Sequence, residues 1–191
     1  MEIFCTKKLA DRLSIRLEEF GEPEEASRRW DTNIRTIGRR NALVLTHEQT
    51  CFAVVLYGVT RRELNRFGSV VRQAIWDTLS AYGVKEAVLR QYLPEEEPIT
   101  LRAARVENLK ILSRIMPPIQ ATWNLEMIPK PLQIPMMFRY NRHFRDTDRV
   151  PADEMMTMLG RLNGQTVVSQ RSFLLRASLD LIQYTASRDM P

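Results

Sequence analysis

The sequence is short of the residues on which most recognisable chemistry is built. It holds two cysteines, two histidines and seven glycines in 191 residues. Cys5 and Cys51 form no Cys-x-x-Cys pair, which argues against a zinc ribbon or a dithiol redox motif. Each falls in or beside a predicted strand, where a free thiol behaves as a small buried apolar group. A reducing, cytoplasmic compartment is the setting this implies. His47 and His143 lie in different segments, without partners at metal-ligand spacing. No metal and no cofactor are expected, and His47 reads as a turn residue. Glycine is too scarce for a phosphate-cradling loop, and no Gly-x-Ser-x-Gly elbow is present. No apolar run approaches the roughly 20 residues that span a bilayer. Met1-Glu2-Ile3-Phe4 lacks the basic start and long apolar stretch of a secretion signal. A membrane role is therefore not expected, nor is there an internal repeat or a low-complexity tract.

What is present is an ordinary globular composition, 44% apolar and 27% charged, long enough for one domain over residues 1–191 with a sizeable core. The strongest local pattern is a hairpin at about 41–57. Two apolar runs, Ala42–Leu45 and Cys51–Tyr57, flank five polar residues, and Gly58 closes the second. Glu2–Cys5 and Trp30–Ile37 read as further strands. Leu64, Phe67, Val71, Ile75 and Leu79 recur at helical spacing, which predicts a long helix from Arg61 to about Ala81. That helix needs a sheet to bury its stripe against. The expected fold is α+β: a small antiparallel sheet built on the central hairpin, covered by this helix, with a mostly helical C-terminal half. Its helices are Arg105–Met116, Asp153–Leu162 and Gln170–Ala186. Between them, residues 117–151 hold six prolines and read as an irregular segment.

Charge is unevenly spread. The net charge is +5, and residues 101–150 alone carry nine Lys/Arg against four Asp/Glu, the whole of the excess. Within them Phe138-Arg139-Tyr140-Asn141-Arg142-His143-Phe144-Arg145 alternates cations with aromatics. Arg139, Arg142 and Arg145 can neutralise phosphates, and Tyr140 and Phe144 can stack on bases. The plainer alternative is a helix or strand edge whose aromatics are core. A second cationic group is Lys7 and Lys8 in the first turn of a helix capped by Thr6, an unfavourable place for cations. Together with Arg39 and Arg40 beside the hairpin they form a candidate anion site. Asp146, Asp148, Asp153 and Glu154 are the carboxylates a metal-dependent nuclease or hydrolase would use, although acids in loops and first turns are usually caps.

The opening Ile3-Phe4-Cys5-Thr6-Lys7-Lys8-Leu9, Trp30 with Asn33, Arg39-Arg40 and Phe52-Ala-Val-Val-Leu-Tyr-Gly58 together resemble an uncharacterised bacterial family described only as a domain of unknown function. The resemblance covers about residues 1–115. It implies a bacterial α+β protein and supplies no activity. The leading functional expectation is thus a non-enzymatic nucleic-acid-binding module. The alternative is a protein-interaction subunit or homo-oligomer, because seven of the nine methionines lie between Met116 and Met158 and Met-rich surfaces adapt to varied partners.

Overall fold

A computed structural model describes residues 1–17, 25–37, 39–106, 109–110, 112–113, 116–117, 119, 131–143 and 149–162. Its strands are β1 (Glu2–Cys5), β2 (Arg29–Ile37), β3 (Arg40–His47), β4 (Ala53–Tyr57) and β5 (Thr100–Ala103). Its helices are α1 (Lys7–Leu13), α2 (Arg61–Leu64), α3 (Phe67–Ala81), α4 (Glu86–Tyr92), α5 (Ile134–His143) and α6 (Pro151–Leu162), with a 3-10 turn at Ala26–Arg28.

The five strands form one sheet in the order β4-β3-β2-β1-β5. The α+β class and the central hairpin are as the sequence implies, but the sheet is mixed and not wholly antiparallel. β2, β3 and β4 make an antiparallel meander, and β1 runs parallel to both β2 and β5. The reason is connectivity: α1 lies between β1 and β2, and α2 to α4 lie between β4 and β5, so the chain crosses over before re-entering the sheet.

Cross-strand partners share a face of the sheet. One face collects Ile3, Cys5, Trp30, Thr32, Ile34, Leu43, Leu45, His47, Val54 and Leu56, all buried. α4 closes on it where the indole Nε1–H of Trp30 donates to the Tyr92 hydroxyl at 3.1 Å. The other face is more polar. It carries Glu2, Phe4, Asp31, Asn33 and Thr46, and these too are buried. Glu2 there forms an ion pair with Arg102 of β5, and the Arg105 guanidinium lies 5.3 Å from the Phe4 ring centre.

The expected helix from Arg61 to Ala81 is two helices. Thr60 begins α2 with a capping box: its hydroxyl accepts from the Glu63 N–H, and Glu63 accepts from the Thr60 N–H. Asn65 and Arg66 interrupt the run, and α3 then buries Phe67, Val71, Ala74, Ile75, Thr78 and Leu79. The proline- and methionine-rich stretch is corrected over residues 131–143, which form a strand bridge and a helix. Pro135 sits in the first turn of α5, where an N–H has no helical partner to lose. The expected helix Gln170–Ala186 lies outside the described residues.

Candidate nucleic-acid interface

The stretch singled out for its arginines and aromatics lies partly in α5, and there it has a structural task. β4 is an edge strand, and an edge presents unpaired N–H and C=O groups that invite pairing with other chains. Here every outward N–H of β4 is used. The Ala53 N–H donates to Asn141 Oδ1 at 2.7 Å, and Asn141 Nδ2 returns a bond to the Ala53 carbonyl at 2.9 Å. The Val55 N–H points at Met137 Sδ, 2.9 Å away. The Tyr57 N–H donates to the Pro131 carbonyl, and the Val55 carbonyl accepts from Gln133. Met137, Phe138, Tyr140 and Asn141 are accordingly buried. Phe138 stacks on Tyr82 with ring centres 4.2 Å apart, and the Arg142 guanidinium lies 5.3 Å from the Phe138 centre. Arg139 is the exposed member. Tyr140, 2% exposed, offers no ring to a base in this conformation. Phe144 and Arg145 lie outside the described residues.

The four cations of the candidate anion site fall in two places. Lys7 and Lys8 are exposed at the start of α1. The Thr6 hydroxyl just before them lies 3.3 Å from Asn33 Oδ1, in the middle of β2. Arg39 and Arg40 sit at the far end of β2, where Ile37 pairs with Arg40. Four steps along the strand separate Asn33 from Ile37, roughly 13 Å. Arg39 takes φ +70, as a tight hairpin turn requires.

The arginine pair has other company. The Arg40 side chain runs along Gly58, its Cδ 3.8 Å from where a Cβ would stand. Gly58 itself has φ +77 and gives its N–H to the Asn41 carbonyl at 2.8 Å. This fixes the exit of β4 beside the entry of β3, and α2 starts three residues later. Arg35, Arg39 and Arg40 thus stand at one end of the sheet, and Arg61 and Arg62 follow Gly58 by three and four residues, all exposed. Glu63 is the acid among them, and its carboxylate is occupied by Thr60. Among the described residues no ion pair engages any of these arginines. Sequence reading missed Arg35, Arg61 and Arg62. The signal was available: in an antiparallel hairpin the residues before β3 and after β4 must meet at one end.

The opposite end is closed. Arg28 pairs with Glu97, and Arg29 with Glu48 at 3.5 Å. His47, read as a turn residue, is instead the buried last residue of β3. Its Nδ1 lies 3.0 Å from the Thr50 hydroxyl and its Nε2 3.0 Å from the Ser27 carbonyl. The Thr50 N–H also approaches Nδ1, at 3.3 Å. A carbonyl only accepts, so Nε2 carries the proton and the ring is neutral. Burial holds its pKa down at about 4, against a smaller opposing effect of the Ser27 carbonyl. Trp30 stands edge-on to it at 5.2 Å. Cys5 is likewise interior, its thiol pushed up to about 12 by burial. Among the described residues no three His, Cys, Asp or Glu side chains gather as a metal site would need, and no helix is long and apolar enough to cross a membrane.

The family model for a domain of unknown function, DUF6933, matches residues 2–124. The chain belongs to this family. No curated protein and no solved structure matches the chain. The DUF6933 match takes in all five strands and α1 to α4. It therefore includes the whole arginine-rich end, while the α5 cap on β4 lies beyond it.

Proposed function

We propose that the protein is a non-enzymatic nucleic-acid-binding module that holds the phosphate backbone with the arginines at the end of its sheet. One observation carries this: five exposed arginines, Arg35, Arg39, Arg40, Arg61 and Arg62, lie at or just after that end without a described acid partner, while Arg28 and Arg29 at the other end are both paired. Like charges left together repel, and a polyanion is the partner that relieves them. Guanidinium groups also suit phosphate, because their planar fork donates two parallel bonds. Lys7, Lys8 and Arg139 are exposed cations away from this end and extend the field without forming its centre.

The test is fluorescence anisotropy with DNA and RNA oligonucleotides of mixed sequence at about 50 mM salt. Wild-type protein should bind, with little sequence preference. Changing Arg39, Arg40 and Arg61 together to Ala should weaken binding and lower the slope of log affinity against log salt by about 0.7–0.9 for each phosphate no longer neutralised. Absence of binding to every nucleic acid would remove the reading.

A second reading, a protein-docking surface, is favoured by a different observation. Val106 and Leu109, just after β5, are 63% and 46% exposed. Met116, Met136, Met137 and Met155 do not add to it, being buried. Sedimentation of the purified protein tests self-association, and Val106→Asp should abolish any dimer found.

A further inference from the structure

We infer that the protein forms a homodimer in which β5 of one copy pairs antiparallel with β5 of another, joining two sheets into one. This goes beyond phosphate binding and gives the docking surface of the second reading its occupant. The sheet has two edges, β4 and β5. α5, Pro131 and Gln133 seal β4, but β5 has no such cover. The Thr100 and Ala104 N–H groups donate to the Met1 and Cys5 carbonyls, both at 3.0 Å. Bonding groups alternate sides along a strand, so Ile99, Leu101 and Ala103 turn their N–H and C=O groups away from β1. Among the described residues nothing donates to these groups or accepts from them. Thr100 to Ala103 are all half-buried, whereas Ala53 to Leu56 of β4 are buried. An open edge of this kind is a template for another strand. Charge does not guard it, because Arg102, the charged residue of β5, is drawn to Glu2 of β1.

A second copy fits because the edge is self-complementary. A two-fold axis through Leu101 sets Leu101 against itself, Ile99 against Ala103 and Thr100 against Arg102 of the other copy. The pairs made by the outward residues each exchange two backbone bonds, and no like charges stand opposite one another. An axis through Arg102 would instead oppose two arginines. The flanks match as well. Just before β5, Glu95 and Glu96 are exposed. Their loop is fixed in place: Arg72 donates to the Pro94 and Glu97 carbonyls, and the Glu97 carboxylate accepts from the Met1 amino group at 2.6 Å. Just after β5 the chain turns, the Leu109 N–H donating to the Arg105 carbonyl at 3.0 Å. That turn carries exposed Lys110 beside exposed Val106 and Leu109. Antiparallel pairing lays the acids of each copy alongside the lysine of the other, twice over, and brings the apolar pair to the joint. Such an isologous contact closes on itself and goes no further than a dimer.

The experiment is sedimentation equilibrium of the full chain, joined to hydrogen exchange of individual amides. Wild-type protein should sediment as a dimer. Its Leu101 and Ala103 amides should exchange at least about tenfold more slowly in the dimer than after dilution to monomer. Leu101→Pro removes a donor that the single copy leaves unused, at an edge position where proline is tolerated, and should give a monomer that is folded by circular dichroism. If that variant unfolds, the exposed charges decide. Glu95→Lys with Glu96→Lys should weaken the dimer at least about fivefold, and adding Lys110→Glu should restore it. A monomer at every concentration overturns the inference, and so does a dimer whose Leu101 amide exchanges freely. A dimer that Val106→Asp dissociates, but that Leu101→Pro and the charge reversals leave intact, overturns the strand pairing while keeping Val106 and Leu109 as a docking surface. Nucleic-acid binding is read separately by anisotropy, so none of these results decides the phosphate reading.

Discussion

The two ends of the sheet solve opposite problems with similar residues. At the end where β3 stops, charges and polar groups are folded inward. Arg28 and Arg29 meet Glu97 and Glu48, His47 is bonded at both ring nitrogens, and Trp30 is anchored by Tyr92. At the end where β3 begins, and just after it, five arginines face water. An arginine is not a functional residue by type; what distinguishes the two sets is whether the fold supplies an acceptor. A buried or half-buried guanidinium needs one to offset its lost hydration, and an exposed one does not. Cations that the fold leaves unmatched are the ones free to meet a partner. The comparison predicts that changes at the closed end cost stability and changes at the open end cost binding.

The largest stability effect belongs to Trp30. Replacing it with Ala empties the centre of the apolar face and strands the buried Tyr92 hydroxyl, whose pKa burial already pushes well above the usual range. A loss of about 3–5 kcal/mol is expected, read from urea unfolding. A loss under about 1 kcal/mol, within the range of a surface change, would show that this end is not the closed one.

Next is acid. Folded His47 has its pKa lowered from 6.5 to about 4. The native state therefore favours the neutral ring, and the stability this gives is complete above about pH 6.5. It is lost as pH falls toward 4, because the unfolded chain takes up the proton first. The difference amounts to about 3 kcal/mol. His47→Gln, which cannot titrate, should lose less stability than wild type between those two pH values. Parallel curves for the two proteins would sink the assignment of a neutral buried ring.

The legible part of the fold is what local pattern and turn chemistry determine. The β3–β4 hairpin, β1, β2 and the α3 stripe all follow from runs and spacing, because each buries one apolar face. The parallel pairing of β1 is not legible. Glu2-Ile3-Phe4-Cys5 says only that a strand forms, and its partners depend on crossovers far along the chain. The described part of the Phe138–Arg145 stretch misleads for a related reason. Aromatics alternating with cations look the same whether the rings serve a ligand or the core, and only the bonds of Asn141 to Ala53 show that this helix seals an edge strand. Asp31 is equally hidden: its place between Trp30 and Thr32 on β2 suggests a solvated face, yet it is buried. The arginine end is half legible, since Arg39-Arg40 stands out in the sequence while the partners that hairpin geometry assigns to it do not.

A smaller effect is expected at Arg28. Burial pushes the Glu97 carboxyl up, but the Met1 amino group and Arg28 outweigh it and hold its pKa below the ordinary carboxylate value. That stability is present above the unfolded carboxylate pKa and is lost as pH falls through the folded one. The side chains of Arg28 and Glu97 are 27% and 25% exposed, so solvent screens the pair, and Arg28→Ala should cost about 1 kcal/mol at neutral pH. Calorimetric melting checks it, and no change would place the pair among ion pairs that contribute nothing.

The smallest stability change, and the one that bears most on function, is expected at the open end. Two unit charges about 10 Å apart in water repel by about 0.4 kcal/mol, and salt near 0.1 M, with its Debye length of about 10 Å, screens most of that. Changing Arg39, Arg40 and Arg61 together to Gln should therefore leave stability within about 0.5 kcal/mol of wild type. Any gain should appear at low salt and fade as salt is raised. Nucleic-acid affinity should fall in the same variant, and its salt dependence should flatten. Urea unfolding at low and high salt, paired with binding titrations, separates the two quantities. If the triple change instead destabilises the protein by more than about 1 kcal/mol, outside the usual range for exposed positions, these arginines hold the fold together. They would then not be spare for phosphate, and the contrast between the two ends would collapse with the function drawn from it.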